Sequence, residues 1–279
     1  MGSAEAAVAR TLTLRLTAFL VVVLAVWVPK AFWPAAPLYT AVFTPERLGL
    51  AASALKLLAL GSGAFLAWRS ANHLGPDNPA RAPWRMLSAF LASFAAGQLV
   101  LSAYEARHVQ PPLPSVGDGF FVVGYAMMIP AAARFVRVYR ATGFPLGHKH
   151  ADAILTAVAS VCFLVFGVPF LWPIAVGSGP LPERAINVLY PVLDFVAFVP
   201  TLMLVRIAWH FRGGKVWTVW AALSAGLIFA FVGDFAFASW ASAGGQVLED
   251  LIDPLLIASY ALLASGAARQ DALVRDDPG

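Results

Sequence analysis

Three aspartates interrupt stretches that are otherwise almost purely apolar: Asp194 in Tyr190-Pro191-Val192-Leu193-Asp194, Asp234 in Val232-Gly233-Asp234-Phe235, and Asp253 just ahead of Pro254. Lys56 and Gln98 interrupt two further apolar runs in the same way. An ionisable group held in hydrocarbon costs at least about 2.5–3.5 kcal/mol, so those that persist face a bundle interior or a wet cavity. Carboxylates so placed can share a proton, pair with a cation, or line a ligand site. A single lysine cannot neutralise all three, and the surplus must carry a proton or meet a cation or basic ligand. Asp118 precedes Tyr125 by seven residues and Asp253 precedes Tyr260 by seven, two turns along one helix face. Lys56, Gln98, Asp118, Tyr125, Asp194, Asp234, Asp253 and Tyr260 are therefore the candidate ligand-binding residues. The plainer expectation for Asp118, which follows Pro114-Ser115, is a helix cap, with the tyrosines serving packing.

These residues need elements to hold them. Of 279 residues, 60% are hydrophobic and 12% charged, against roughly 45–50% and about 25% in soluble domains. Apolar runs bounded by charge and by Pro or Gly predict spans near residues 12–29, 48–68, 86–104, 117–138, 152–175, 187–209, 217–240 and 247–268, each close to the ~20 residues a bilayer requires. The expected fold is all-α, one polytopic membrane domain of eight helices over residues 1–279. The run after Arg10 and Arg15 continues into Pro29, Lys30 and Trp33 without a small-residue cleavage site, so it reads as a retained first span. Residue 6 is alanine, which removes Met1-Gly2 from consideration as a lipidation signal.

Lys and Arg divide unevenly between the two sides. Fourteen, from Arg10 and Arg15 to Arg269 and Arg275 and including Lys149, fall on the side of the termini; Lys30, Arg47, Arg107 and Arg184 fall on the other, and Lys56 lies within a span. The positive-inside rule then predicts cytoplasmic termini. At about 1.5 Å per residue, Lys56, Gln98, Tyr125, Asp194, Asp234 and Asp253 lie roughly 9–13 Å below the outer ends of their helices. Glu105, Asp118, Glu249 and Asp250 are nearer the mouth. A shared layer predicts an outward-opening polar pocket.

The chain also carries an internal match. Gly97-Gln98 with Tyr104 corresponds to Gly233-Asp234 with Trp240 at an offset of 136, and Asp118, Tyr125 and Arg134 correspond to Asp253, Tyr260 and Arg269 at 135. Near-constant offsets predict two four-helix halves, about residues 12–138 and 152–268, facing the same way. Near-equivalence and opposite charge predict a Lys56–Asp194 pair.

Other features exclude chemistry. The formal charge of +4 comes with no basic, aromatic-interleaved run, so no nucleic-acid surface is expected. A single cysteine, Cys162, leaves no disulfide framework. His73, His148, His150, His210 and His108 all fall in loops or at helix ends, which argues against haem and zinc, and no cofactor or metal is expected. Most of the nine tryptophans, including Trp27, Trp33, Trp84 and Trp220, fall near span ends and read as an interfacial belt. Pro130, Pro169, Pro191, Pro200 and Pro254 predict bends.

Read as text, Pro114-Ser115-Val116-Gly117-Asp118-Gly119-Phe120-Phe121-Val122-Val123-Gly124-Tyr125, Tyr190 to Asp194, Gly233-Asp234-Phe235 and Asp253 to Tyr260 resemble the multi-spanning sensor regions that precede GGDEF, EAL and kinase domains in bacteria. The resemblance covers roughly residues 45–270. It implies a bacterial inner-membrane sensory or ligand-binding protein with no catalytic residues of its own. Because the chain ends at Gly279 without such a domain, it implies signalling through a separate cytoplasmic protein, with a small ligand or cation in the pocket. A transporter or assembly subunit is the alternative. A further likeness, to presenilin-like aspartyl proteases, rests on Asp194 and Asp234, but Phe231 replaces a motif glycine, Leu193 replaces the tyrosine, and no Pro-Ala-Leu motif follows.

Overall fold

The computed structural model describes residues 3–141, 150–210, 212–243 and 245–276. Met1, Gly2, His148, Lys149 and Gly279, all used above, lie outside them. Among the described residues eight helices are long and apolar enough to cross a membrane: α1 (Ser3–Phe32), α2 (Pro45–His73), α3 (Arg81–Glu105), α4 (Val116–Ala141), α5 (Ala151–Val176), α6 (Leu181–His210), α7 (Lys215–Ala243) and α8 (Gln246–Asp276). The chain is an integral, multi-pass membrane protein in contact with the lipid bilayer, and no strand occurs among the described residues. Each helix outruns its predicted span, because the apolar criterion stops at the first charges while the backbone hydrogen-bond ladder continues past them.

Local sequence explains the helix starts. Thr44 caps α2 by accepting from the Arg47 N–H, with Pro45 at the first position and Glu46 in the first turn. At α4, the Ser115 hydroxyl accepts from the Asp118 N–H, and Asp118 accepts from the Ser115 N–H. This is a reciprocal capping box. In α5 a π-helical turn over Phe163–Gly167 lies directly before Pro169, which has no N–H for the ladder.

α2, α3, α4, α6, α7 and α8 form a closed ring: α2 packs on α3, α3 on α4, α4 on α6, α6 on α7, α7 on α8, and α8 back on α2. α1 lies outside against α8, and α5 outside against α6. The main core is drawn from the six ring helices, with Leu60, Leu91, Phe135, Leu204, Val219 and Leu263 among its buried members. Lipid tails are as apolar as these side chains, so close packing must hold the ring together. Ala52, Ala67 and Ala71 of α2 are buried, and at the α2–α8 seam a Cβ on Gly63 would meet the Ala264 Cα at 3.2 Å. Trp27, Trp84 and Trp220 depart from the expected belt. They are buried at 5%, 2% and 4% exposure, with the Phe135 ring 5.4 Å from Trp84 and 4.8 Å from Trp220. Their positions near helix ends are interfacial, but Trp84 and Trp220 face the core of the ring and Trp27 packs between α1 and the outside of the ring.

Candidate functional site

A cavity of about 310 Å³ opens within the ring on the side away from the termini. Lys56 on α2, Gln98 on α3, Asp118 and Tyr125 on α4, Asp234 on α7, and Asp253 and Tyr260 on α8 all line it. Tyr190 completes the set from α6, so every ring helix contributes. Pro111, Pro112 and Leu113 of the α3–α4 connection edge it. Of the eight candidate residues, only Asp194 lies off the main wall. It borders a void of about 20 Å³ one layer deeper, which shares Phe94, Tyr125 and Tyr260 with the cavity.

Three connected sets hold the aspartates. Asp253 accepts from the Lys56 ammonium at 2.9 Å. The expected Lys56–Asp194 pair is therefore not formed. Helix phase brings Lys56 to α8 across the α2–α8 seam, and α6 is not α2's neighbour in the ring. In the second set Asp118 is both cap and wall. Its Oδ2 accepts from the Ser115 hydroxyl at 2.8 Å and the Ser115 N–H at 2.5 Å, and its Oδ1 accepts from the Tyr190 hydroxyl at 2.5 Å. In the third, the Tyr125 hydroxyl hydrogen-bonds Asp194 and lies 2.9 Å from Asp234 Oδ2.

A phenol has one proton, so Tyr125 can donate to only one of its two aspartates at a time. Asp194, 5% exposed, has its other oxygen buried, and its carboxyl is in hydrogen-bonding contact with that of Asp234, an arrangement in which the two can share a proton. α4 and α6 are thus clamped twice in opposite senses, Tyr125 of α4 to Asp194 of α6 and Tyr190 of α6 to Asp118 of α4. Tyr190 was missed as a site residue, although its spacing of four from Asp194 places both on one helix face. Gln98 reaches Ser53 and Ser102, each at 3.4 Å, and Ser53 donates to Glu105 at 2.7 Å. Asp250, nearer the mouth, accepts from Lys30 of α1 at 2.6 Å. The Tyr260 ring lies 6.4 Å from Phe94 on the cavity wall.

Two ion clusters on the terminal side also escaped the sequence reading. Asp271 of α8 is fully buried and takes Arg69 of α2 through two contacts, at 2.7 and 2.5 Å, with Arg275 at 2.8 Å. Asp152 at the start of α5 meets Arg140 of α4, and meets Arg206 of α6 at 2.9 Å. An acidic residue late in α8, against the helix dipole, was the available signal for Asp271.

No family model, no curated protein and no solved structure matches this chain. Its function must be argued from the cavity itself. Among the described residues no group of three or more His, Cys, Asp or Glu side chains is arranged to hold a metal ion. Asp194 and Asp234 do converge, as a protease dyad would, and the Tyr125 hydroxyl contacts both carboxyls.

Proposed function

We propose that the protein is a bacterial inner-membrane sensor of the kind that precedes cyclase and kinase domains, with its termini in the cytoplasm and a ligand site in the outward cavity. The observation that carries this reading is that all six ring helices supply a residue to one cavity, so an occupant touches both halves of the chain at once. A ligand can move an equilibrium only by as much as its contacts differ between two packings, and contacts on every ring helix give such a difference. The readout is assigned to the terminal side, where Arg69–Asp271 ties α2 to α8 and Asp152 ties α4 to α6. A separate cytoplasmic partner would read changes there.

The two halves are proposed to be duplicated copies. Exchanging α1–α4 for α5–α8 maps every ring contact onto another ring contact. A Cβ on Gly97 would meet Phe121 at 2.8 Å, and one on Gly233 would meet Leu256 at 2.9 Å. Phe121 and Leu256 are themselves 135 apart.

Repeated halves around a midway polar site also suit a transporter. Against inward opening, voids of about 20 Å³ lie between the cavity and the packed Phe135–Trp220 layer. The readings are separated by reconstituting the parent and Asp234→Asn in proteoliposomes, supplying a bacterial small-molecule extract outside, and measuring uptake by mass spectrometry. Thiol accessibility at Arg212→Cys is followed in parallel in a Cys162→Ser background. Uptake by the parent that the variant loses would overturn the sensor. Extract-dependent accessibility changes without uptake, abolished by Asp234→Asn, are the expected result.

A further inference from the structure

We propose that the cavity selects an organic ammonium ion, a monovalent cation with an apolar body, and that Asp234 receives its charge; this rests on reading the cavity as a ligand site.

The charges around the cavity are not equally free. Lys56 and Asp253 answer one another at 2.9 Å. Asp118 has both oxygens engaged, Oδ1 by Tyr190 and Oδ2 by two donors from Ser115. Asp234 has the Tyr125 hydroxyl 2.9 Å away, and that hydroxyl already serves Asp194 through its single proton. Below it, the second Asp194 oxygen is buried and receives no donor from another side-chain type, and the Asp194 carboxyl is in contact with that of Asp234. Two neighbouring carboxyl groups at the floor of the cavity are in hydrogen-bonding contact and also meet one phenol, and a proton shared between them leaves the pair one negative charge. Asp234 is the member of the pair on the cavity wall, so a cation beside it neutralises that charge and leaves the phenol to Asp194.

The walls favour a carbon-clad cation over a bare ion. Phe94, Phe121, Tyr125, Tyr190, Phe237 and Tyr260 line the cavity. Five of these rings contact one another, with Phe94 lying 5.1 Å from Phe121, 5.5 Å from Tyr125 and 6.4 Å from Tyr260, and Tyr190 lying 6.4 Å from both Phe121 and Tyr125. Ring faces attract alkylated ammonium groups, whose weak hydration is readily given up in an apolar site. A small metal ion instead wants many oxygens, and most carboxylate oxygens here are already spent. An anion would face Asp234 and Asp118 with only Lys56 to receive it, and Lys56 would have to leave Asp253. A volume of about 310 Å³ is at the small end of the roughly 300–1,000 Å³ range of ligand sites, which limits the occupant to a compact amine.

The test uses the full chain in nanodiscs and three probes of like shape, benzyltrimethylammonium, benzyl alcohol and phenylacetate, titrated calorimetrically against empty-nanodisc blanks. Benzyltrimethylammonium is expected to bind saturably and the other two not, with Asp234→Asn weakening binding by roughly tenfold or more. Because Asp234→Asn also disturbs Tyr125, Phe237→Leu serves as a second variant. It removes a ring, leaves the polar network whole, and is expected to weaken binding several-fold. Saturable binding of benzyl alcohol or phenylacetate that Asp234→Asn leaves unchanged would overturn the ammonium assignment while leaving the cavity a ligand site. Failure of all three probes to bind overturns the assignment as well. In that case, a Phe237→Cys thiol in a Cys162→Ser background that resists water-soluble thiosulfonate reagents sinks the ligand-site reading with it, whereas a reactive thiol leaves that reading standing.

Discussion

Lys56 and Asp253 illustrate what a charge inside a membrane bundle demands. Lys56 is 8% exposed, so its ammonium cannot be left without a counter-charge. Breaking a buried pair from one side costs about 3–5 kcal/mol, whereas replacing both partners by apolar groups is often near neutral. The Asp253 side chain is 34% exposed on the cavity, which softens the penalty. Lys56→Met is therefore expected to destabilise by about 2–3 kcal/mol and Lys56→Met with Asp253→Leu by under about 1 kcal/mol, as measured by equilibrium unfolding in mixed micelles. Equal losses in the single and double variants would show that the contact contributes nothing. The same experiment with Asp194→Leu as second change should show no rescue, because Asp194 belongs to the Tyr125 set.

Between α3 and α4 the decisive feature is distance. A Cβ added at Gly97 would lie 2.8 Å from Phe121 and 3.0 Å from the Gly117 carbonyl oxygen, while one added at Gly61 would meet nothing within 4 Å. Phe121 is a cavity wall and Gly117 opens the helix that holds Asp118, so spreading this pair moves the site. Gly97→Ala is expected to cost about 1–3 kcal/mol by overpacking. Gly61→Ala should be neutral or slightly stabilising, since alanine is the better helix former by roughly 1 kcal/mol. Thermal unfolding of the two variants side by side checks this, and equal midpoints would remove close packing as the reason for Gly97. The capping box at Ser115 and Asp118 is legible in the sequence as a local i, i+3 pattern. Its second use, in receiving Tyr190 from α6, depends on a neighbour 72 residues away.

For the whole molecule, the topology and the cavity argue together. Eight crossings put both termini on one side, and the cavity lies toward the other. The excess of Lys and Arg on the terminal side underlies the proposal that this side is cytoplasmic. A periplasm-active reporter fused after Gly177 should be on, and one fused after Arg212 off. The reverse pattern would turn the cavity to the cytoplasm and remove the proposed sensing of an external ligand.

The number and rough limits of the spans were legible in the sequence because hydrocarbon imposes a length and a composition on each crossing regardless of its neighbours. Much of the cavity lining was legible too, since depth along a helix follows from counting residues: five of the six residues expected in one layer line the cavity, with Asp118 and Tyr260, while Asp194 lies one layer deeper. The tertiary structure alone decided which partner each took. Equal depth on two helices says nothing about whether those helices are adjacent, and the ring order places α8, not α6, beside α2, so Lys56 found Asp253 while Asp194 found Tyr125. Helix rotation likewise turned Trp84 and Trp220 into the core and hid Asp271 between two arginines. Such choices are made by side-chain packing between segments far apart in the chain, and no local pattern encodes them.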